Sequence, residues 1–209
     1  MEVLELKPIK NKNITLYLID KRSINPKLND IEILKDLVKN HDVRFITVEI
    51  NNEKFKKFKN SSLSIVLDAV NLEYHLLDMP EYAYGYLLDE INKKEEQIRD
   101  LLTEYRVMDD QSSFKGLNLK SWIDILKKEV NHDKNILESK TRPKWIVKKI
   151  LDLARLHENE GFSVIHFYNE KTLSEITKQL TELHIEVVIH ELNNFHNIPY
   201  LIIKQEENN

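Results

Sequence analysis

Three consecutive hydrophobic patterns fill residues 162–192. Residues 162–168 are rich in β-branched and aromatic side chains, residues 172–183 carry apolar side chains at helical spacing, and residues 185–189 are apolar again. These patterns predict a strand, a helix and a second strand. A helix between two strands normally joins neighbouring parallel strands, which must be covered on both faces. We therefore expect an α/β fold with a mostly parallel central sheet and flanking helices.

The first half of the chain continues the alternation of strands and helices. Its predicted strands are residues 14–19, 43–50 and 74–77. A helix that begins at Asn29 or Asp30 lies between the first two, since either side chain can cap it. Residues 63–70 fit a helix capped by Ser61 or Ser62, but residues 63–67 could equally form a strand, because periodicity alone does not separate the two.

The middle of the chain, from about residue 80 to 158, is predicted to be helical. Apolar residues at steps of three, four and seven predict one long helix after Pro80. A second helix follows from about Leu119, with Trp122 and Ile125 among its inward-facing residues. This helical segment could cover one end of the sheet, line a cleft or pair with another subunit.

A third helix of this segment is predicted to start at Thr141. Thr141 can cap it, and Pro143 suits the first turn because that position needs no N–H group. At 209 residues the chain is long enough to bury one core and short for two. We therefore predict a single domain over residues 1–209, with the helical middle as an insertion.

Three tyrosines, Tyr82, Tyr84 and Tyr86, alternate along the first of these middle helices. Alternate residues of a helix point in different directions, so the three cannot all face one core. At least one is expected to line a cleft or to contact another subunit. From these tyrosines and from the length of the helices we predict a homodimer formed through the middle segment.

The composition narrows the class of protein. Hydrophobic residues make up 41% of the chain and charged residues 32%, which is typical of a folded protein with a heavily charged surface. The absence of cysteine excludes disulfides, thiolate metal sites and cysteine nucleophiles. The acidic N-terminal residues are unlike a signal peptide, and no apolar run approaches the roughly 20 residues of a membrane span. We expect a soluble, cytoplasmic protein without membrane contact.

No cofactor motif is recognisable in the sequence. Only three glycines occur, whereas phosphate-binding loops need glycine where the backbone approaches the ligand. Walker and dinucleotide fingerprints are absent, and Ser23 and Ser163 lack the Gly-x-Ser-x-Gly context of a serine hydrolase. The sequence therefore leaves the cofactor unknown.

Two basic segments raise the alternative of nucleic-acid binding. The net charge is −4, but residues 1–60 hold thirteen Lys or Arg against nine Asp or Glu. Residues 54–59 interleave lysines with Phe55 and Phe58, as single-strand nucleic-acid sites do, although two phenylalanines three apart also suit a helix packed on a core. Residues 142–149 form the second segment, which equally fits a solvated helix face.

The segment 190–196 invites comparison with a zinc-peptidase motif, in which two histidines four apart on a helix bind the metal. Here His190 and His196 are six apart, and His190 ends a predicted strand. Because the helical face that the chemistry needs is missing, we assign no metal ligands.

Carboxylates follow three of the predicted strands. Asp20, Glu49 and Asp78 each lie at a strand end, so all three are expected at the carboxyl edge of the sheet, where open parallel sheets bind ligands. With Arg22 or Arg142 as a counter-charge, converging acids suit hard-cation binding or acid–base chemistry. Strand-end acids can also cap helices or simply face water.

The order of these features resembles the TraB family, which includes the pheromone-shutdown proteins and is related to the Tiki peptidases and to the erythromycin-esterase and ChaN group. A strand, loop and helix lead to a strand ending in Thr47-Val48-Glu49-Ile50, and Leu76-Leu77-Asp78-Met79-Pro80 is similar to the family's hydrophobic segment ending in Asp-Arg. Thr141-Arg142 looks like its later arginine. The segment 164–168 occupies the place of its final strand.

The sequence also departs from the family's motifs. The family's first Gly-Thr-x-His is replaced by Asp20-Lys21-Arg22-Ser23, and its later Gly-x-x-His by the segment that begins at His166. Met79 stands where the family has arginine. Since those histidines are the presumed metal and catalytic centre of the related peptidases, the resemblance implies a degenerate centre.

The resemblance and the strand-end pattern together define the candidate site. The residues expected at catalytic positions are Glu49, Asp78 and Arg142, and those expected at substrate-binding positions are Asp20, Arg22 and His166. Our leading hypothesis is a TraB-like binding or assembly protein that is not catalytic. The alternatives are a Mg²⁺- or Mn²⁺-dependent hydrolase of a phosphorylated substrate, with a small-molecule ligand at the same acids, and a nucleic-acid-binding protein.

Overall fold

The structure, a computed structural model, describes residues 6, 9, 13–26, 29–157 and 161–190, and the backbone of 201–203. Within this part of the chain one sheet contains β1 (Asn13–Asp20), β2 (Val43–Val48), β3 (Tyr74–Leu76), β4 (Gly161–Tyr168), β5 (Glu186–Ile189) and β6 (Leu201–Ile203). The strand order is β3-β2-β4-β1-β5-β6, with β1 to β5 parallel and β6 antiparallel to β5. The predicted α/β fold with a mostly parallel sheet is confirmed.

The helices alternate with these strands as predicted. They are α1 (Asp30–Asn40), α2 (Phe55–Phe58), α3 (Ser62–Val70), α4 (Glu81–Arg106), α5 (Phe114–Ile136), α6 (Arg142–Leu156) and α7 (Glu170–Glu182), with a 3₁₀ turn at Asn52–Lys54. The segment that fitted either a helix or a strand is the helix α3. The Ser61 hydroxyl accepts a hydrogen bond from Ser64 N, which caps α3 and favours the helix.

Each face of the sheet is covered by its own pair of helices. Leu16 and Leu18 of β1 belong to an apolar core with residues of α6 and α7, whereas Tyr17 and Ile19 belong to a second core with residues of α1 and α3. Successive strand residues point to opposite faces, so one strand supplies both cores. This explains why the strands read as continuous apolar runs.

The strands β4 and β5 are parallel but are not neighbours. Both pair with β1, which lies between them: Thr15 is opposite Ser163 on one side and Glu186 on the other. The expectation that the last helix joins adjacent strands is therefore wrong. Because β1 occupies the intervening position, the connection through α7 passes over one strand.

The chain divides into two compact units. The sheet unit comprises residues 1–80 and 142–209, and the helical unit comprises Glu81–Thr141. We expected the helical insertion to run to about residue 158, but α6 contributes Ile146 and Ile150 to a core of the sheet. Only α4, α5 and the turn that follows them therefore form the separate unit.

In the helical unit α4 and α5 pack as an antiparallel pair. Lys94 forms ion pairs with Glu129 and Asp133, while Lys115 pairs with Glu104, so positions later in α4 meet earlier positions in α5. The buried apolar residues between the helices are Ile91, Ile98, Ile123, Leu126, Val130 and Leu137. No helix of the described chain is long and apolar enough to cross a membrane.

Two expectations about α5 are corrected by the structure. The helix starts at Phe114, several residues before Leu119, because the Ser113 hydroxyl accepts from Gly116 N and caps it. Trp122 and Ile125, expected to face inward, are 58% and 49% exposed. The residues of α5 that face α4 are Ile123, Leu126 and Val130.

The third middle helix does not begin with a cap at Thr141. Leu137–Thr141 form a π-helical turn that leads directly from α5 into α6. Pro143 lacks the N–H that an uninterrupted α-helix would use, and such a residue is accommodated where the helical hydrogen-bond pattern changes. The pattern of Thr141 and Pro143 thus marks an irregular turn within a continuous helical segment.

A candidate ligand site at the carboxyl edge of the sheet

The carboxyl ends of β1 and β4 form the natural ligand position of this sheet. The helix after β1, α1, lies on one face, and the helix after β4, α7, lies on the other. Neighbouring parallel strands whose connections leave toward opposite faces open a crevice at their carboxyl ends, and α/β proteins bind ligands there. The strand topology alone therefore makes the residues at these strand ends candidates for ligand binding.

Lys21 lies across this edge. Its backbone N–H donates to Tyr168 O at the end of β4, at 3.2 Å. Its ammonium donates to the backbone oxygen of Glu49, at 3.0 Å, just after β2. Since β4 lies between β1 and β2, the side chain of Lys21 spans the end of β4.

Lys21 is half-buried and is surrounded by charges. Burial lowers the pKa of its ammonium from the ordinary value, while the electrostatic influence of Glu49 opposes that shift and Arg142 adds to it. Among the described residues no carboxylate lies within ion-pair distance of its Nζ, and Glu49 O is its one acceptor. An ammonium has three N–H donors, so two remain for another group.

Glu49 lies beneath Lys21 in a buried chain of polar side chains. Its Oε1 accepts from the Thr172 hydroxyl at 2.6 Å and lies 3.3 Å from His166 Nε2. His166 Nδ1 is 2.8 Å from the Thr47 hydroxyl, which donates to Ile165 O. The Glu49 and His166 side chains have no exposed surface. This chain joins β2, β4 and the first turn of α7.

One oxygen of the Glu49 carboxylate remains unsatisfied. Glu49 Oε2 is buried and has no hydrogen-bond partner among the described residues. A buried polar oxygen without a partner costs free energy, so the contacts of Oε1 with Thr172 and His166 are what hold Glu49 in place. His166, expected to bind substrate, is equally enclosed and offers no surface to a ligand in this conformation.

Asp78 and Arg142 form a bidentate pair beside β2. Arg142 Nε donates to Asp78 Oδ1 at 2.8 Å, and its Nη2 donates to Oδ2 at 2.7 Å. The Arg142 side chain is 16% exposed and the Asp78 side chain 15%, and Met79 N also donates to Asp78 Oδ1. Paired and parallel hydrogen bonds of this kind are among the stronger polar contacts in proteins. The pair fixes the start of α6 to the end of β3.

Asp20 and Arg22 form a third group, at the exposed end of β1. Arg22 donates to both oxygens of Asp20 and also to Glu170 at the start of α7, at 2.8 Å. The hydrogen bonds from Arg22 lower the pKa of Asp20, with burial opposing the shift. The Arg22 side chain is 58% exposed, so this pair is open to solvent and to salt.

The six predicted site residues thus fall into three groups at one edge. Glu49 meets His166, Asp78 meets Arg142, and Asp20 meets Arg22. Each of the three acids is engaged with a different partner. In the described part of the chain no set of three His, Asp or Glu side chains is close enough to hold a metal ion.

Sequence reasoning missed Lys21, Thr172 and Glu170. Lys21 stands between the predicted site residues Asp20 and Arg22, directly after β1, so the sequence indicated its position but not its role. The sequence contains no indication of the roles of Thr172 and Glu170, because their contacts depend on which strand ends α7 lies beside. Topology alone brings them to Glu49 and Arg22.

The other candidate segments are placed differently. His190 ends β5, but the rest of the histidine-containing segment, 191–196, lies outside the described residues. In the first basic segment Phe58 is buried in the core, whereas Phe55 is 42% exposed. The two rings lie side by side, with their centres 6.5 Å apart, but only Phe58 is a core contact. Lys59 lies over the Phe55 ring, 5.4 Å from its centre.

A separate surface groove of about 530 Å³ lies in the helical unit. Glu95, Arg99 and Lys127 line it together with Ile98 and Val130. None of the six predicted site residues lines this groove. Its charged side chains come from exposed helix surface, so it lacks the buried converging polar groups of a typical ligand site.

Comparison of the chain with protein-family models, with curated proteins and with solved structures finds no match. The fold and the geometry of the site therefore define the class of protein: an α/β protein with a polar crevice at the carboxyl ends of parallel strands.

Proposed function

We propose that this protein binds a small anionic ligand at the carboxyl edge of its sheet and does not hydrolyse it. We further propose that it is a TraB-like protein with a degenerate centre, acting in the cytoplasm through binding or assembly. The ligand class is an oxygen-bearing anion, with a carboxylate or phosphate group. Lys21 is the residue that would hold it.

The unpaired ammonium of Lys21 carries this proposal. The charges of Asp78 and Asp20 are matched by Arg142 and Arg22, but no described carboxylate pairs with Lys21. Two N–H groups of Lys21 are free, and the residue lies at the switch point where ligands bind in such sheets. An anion there would satisfy both donors and the charge.

The engagement of the acids supports binding rather than catalysis. Both oxygens of Asp78 accept from Arg142, and both oxygens of Asp20 accept from Arg22. Glu49 is enclosed beneath the edge. A general acid, a base or a cation ligand must reach the reacting group, and each of these carboxylates would first have to leave its partner.

Phosphate and malonate titrations of the purified protein test the proposal. We expect thermal stability to rise with each anion and to saturate, since a ligand that binds the folded state alone stabilises it. Lys21→Met should abolish the saturating shift. Lys56→Met is the matched control, because Lys56 is an exposed lysine of the same unit.

The same titrations distinguish the alternatives. Equal shifts in the wild type, Lys21→Met and Lys56→Met would contradict a site at Lys21. Turnover of p-nitrophenyl phosphate that requires Mg²⁺ or Mn²⁺ and is lost in Glu49→Gln would replace the binding proposal with the hydrolase hypothesis. Stoichiometric transition metal in the purified protein would equally contradict a degenerate centre.

Assembly is the second half of the proposal, and a homodimer is its simplest form. The exposure of Tyr82 and Tyr86, 76% and 78%, supports a contact through the helical unit. Tyr84 differs from them, because its hydroxyl donates to Glu138 within the same unit. Light scattering that gives a single-chain mass at all concentrations would contradict the homodimer.

A further inference from the structure

The helix α5 carries a second apolar face that packs on nothing in the described chain. Phe114 is 83% exposed, Leu117 57%, Trp122 58% and Ile125 49%. At 100° per residue these four side chains fall within one side of the helix, opposite the buried Ile123 and its neighbours. Monomeric proteins rarely expose such a set together, and a contiguous apolar face marks an interaction surface.

The outer face of α5 is uncharged over three turns. Between its four apolar residues lie only Asn118 and Ser121, both exposed. Read from either end the face has the same order: a large apolar residue, a second one after a gap, and a small polar residue at the centre. An isologous contact between identical chains requires such self-complementarity, because residue i must meet j while j meets i.

We propose that α5 packs antiparallel against α5 of a second copy of this chain, about a two-fold axis between Leu119 and Lys120. In this register Phe114 meets Ile125 of the partner subunit, and Leu117 meets Trp122 of the partner subunit. Asn118 meets Ser121 of the partner subunit at the centre, where small side chains let the helices approach. The inference rests on the proposed homodimer and adds its surface and register.

The charges beyond the apolar face fit this register. Lys128 lies about one turn beyond Ile125 and makes no ion pair among the described residues. The antiparallel pairing places it beside the segment that precedes α5 of the other copy, where Asp109 and Asp110 are exposed. The two-fold axis repeats this attraction at both ends. A parallel pairing would instead bring Lys128 of one copy beside Lys128 of the partner subunit.

The size of the face sets the expected strength of the dimer. Aromatic side chains bury about 150–250 Å² each, so Phe114 and Trp122 would contribute roughly half of the ~800 Å² per partner of an ordinary interface. The contact is therefore at the small end of stable interfaces. A concentration-dependent dimer is expected.

Cysteine cross-linking reports the register directly, because the chain contains no cysteine of its own. Asn118→Cys and Ser121→Cys are prepared as separate full-length proteins, mixed and oxidised. We expect the mixed disulfide dimer, recognised by its mass, to form faster than either homodimeric disulfide. Glu96→Cys mixed with Asp100→Cys is the control, since both positions are exposed on α4 away from this face.

Light scattering gives the second readout. The wild type should approach twice 24.9 kDa at high concentration, and Trp122→Glu and Leu117→Glu should each remain at 24.9 kDa. Unchanged circular dichroism shows that the variants fold, and the cysteine experiment does not depend on them.

Two outcomes would overturn the inference. A dimer that persists in both glutamate variants and shows no preference for the mixed disulfide uses another face, which leaves the homodimer standing. A single-chain mass at every concentration removes both the interface and the homodimer. The anion titrations are independent of either result.

Discussion

The Glu49 carboxylate is held by contacts with one strand residue, His166 of β4, and one helix residue, Thr172 of α7. The Thr172 hydroxyl makes the shorter of these contacts, at 2.6 Å, and also lies 2.7 Å from Asn169 O. A buried acceptor that loses its donor keeps its desolvation cost, so we expect Thr172→Val to lower the free energy of unfolding by roughly 1–3 kcal/mol. Urea unfolding measures it.

Thr181 in the same helix provides the matched control for Thr172. It is half-buried, and its hydroxyl donates only to the backbone oxygen of Thr177, one turn earlier. We expect Thr181→Val to cost well under 1 kcal/mol, because the carbonyl keeps its helical partner. Equal losses in the two variants would show that the contact with Glu49 carries no special weight.

The ammonium of Lys21 makes stability depend on alkaline pH. Burial lowers its pKa in the folded state below the ordinary 10.5. Between the lowered value and 10.5 the unfolded chain binds more protons than the folded one, so the contribution of Lys21 to stability rises with pH in this window.

Comparison with a variant isolates this contribution of Lys21. The stability of the wild type relative to Lys21→Met should rise as the pH approaches 10.5. Urea unfolding of both proteins at several alkaline pH values measures this difference. A wild-type advantage that falls with pH would mean that ion pairing, not burial, dominates the environment of Lys21.

At the scale of the element, the start of α5 depends on a glycine. A Cβ built on Gly116 would lie 2.7 Å from the carbonyl carbon of Gln111, in the turn that leads into the helix. Alanine normally favours a helix over glycine by about 1 kcal/mol, but here the turn would have to move. We expect Gly116→Ala to destabilise the helical unit by roughly 1–3 kcal/mol, the usual range for overpacking.

Gly85 in α4 is the natural control for Gly116. A Cβ there would meet nothing within 4 Å, so Gly85→Ala should stabilise the protein by about 0.5–1 kcal/mol. Thermal unfolding followed by far-ultraviolet circular dichroism, which reports secondary structure, shows whether each substitution raises or lowers the melting temperature. Stabilisation by both substitutions would mean that the turn before α5 yields at little cost.

Helices and strands were predictable where one pattern dominated. The runs in β1 and β4 and the stripe of α7 satisfy one periodicity each, and the structure has them within a few residues. The face of α5 was not predictable, because apolar residues lie on both its sides and the sequence does not say which side meets α4. The prediction of a helix start at Thr141 was wrong for a similar reason, because a capping residue followed by proline also fits an irregular turn in a longer helix.

At the scale of the whole molecule, the sequence predicted that the site lies at the carboxyl edge of the sheet, but not which side chains meet there. Strand ends gave the positions of Asp20, Glu49 and Asp78, since parallel strands share one carboxyl edge. Partners could not be inferred, because they depend on the strand order, and β4 enters between β1 and β2 from late in the sequence. That insertion places His166 against Glu49.

The division into two units predicts unequal protection from hydrogen exchange. In the described chain the core of the helical unit contains six buried apolar residues, whereas the two cores of the sheet unit contain seventeen and fifteen. Burial of apolar surface is the main stabilising term, so the smaller core should open first. We expect amides of α4 and α5 to exchange before those of β1 and β4 in moderate denaturant, measured by mass spectrometry.

Gly116→Ala sharpens this test, because its strain lies wholly within the helical unit. If the units open separately, the substitution speeds exchange in α4 and α5 and leaves β1 and β4 unchanged. Thr172→Val should do the reverse, since the contact of Thr172 with Glu49 belongs to the sheet unit. If either substitution speeds exchange equally in all four elements, the chain opens as one cooperative body, and the two compact units share a single unfolding transition.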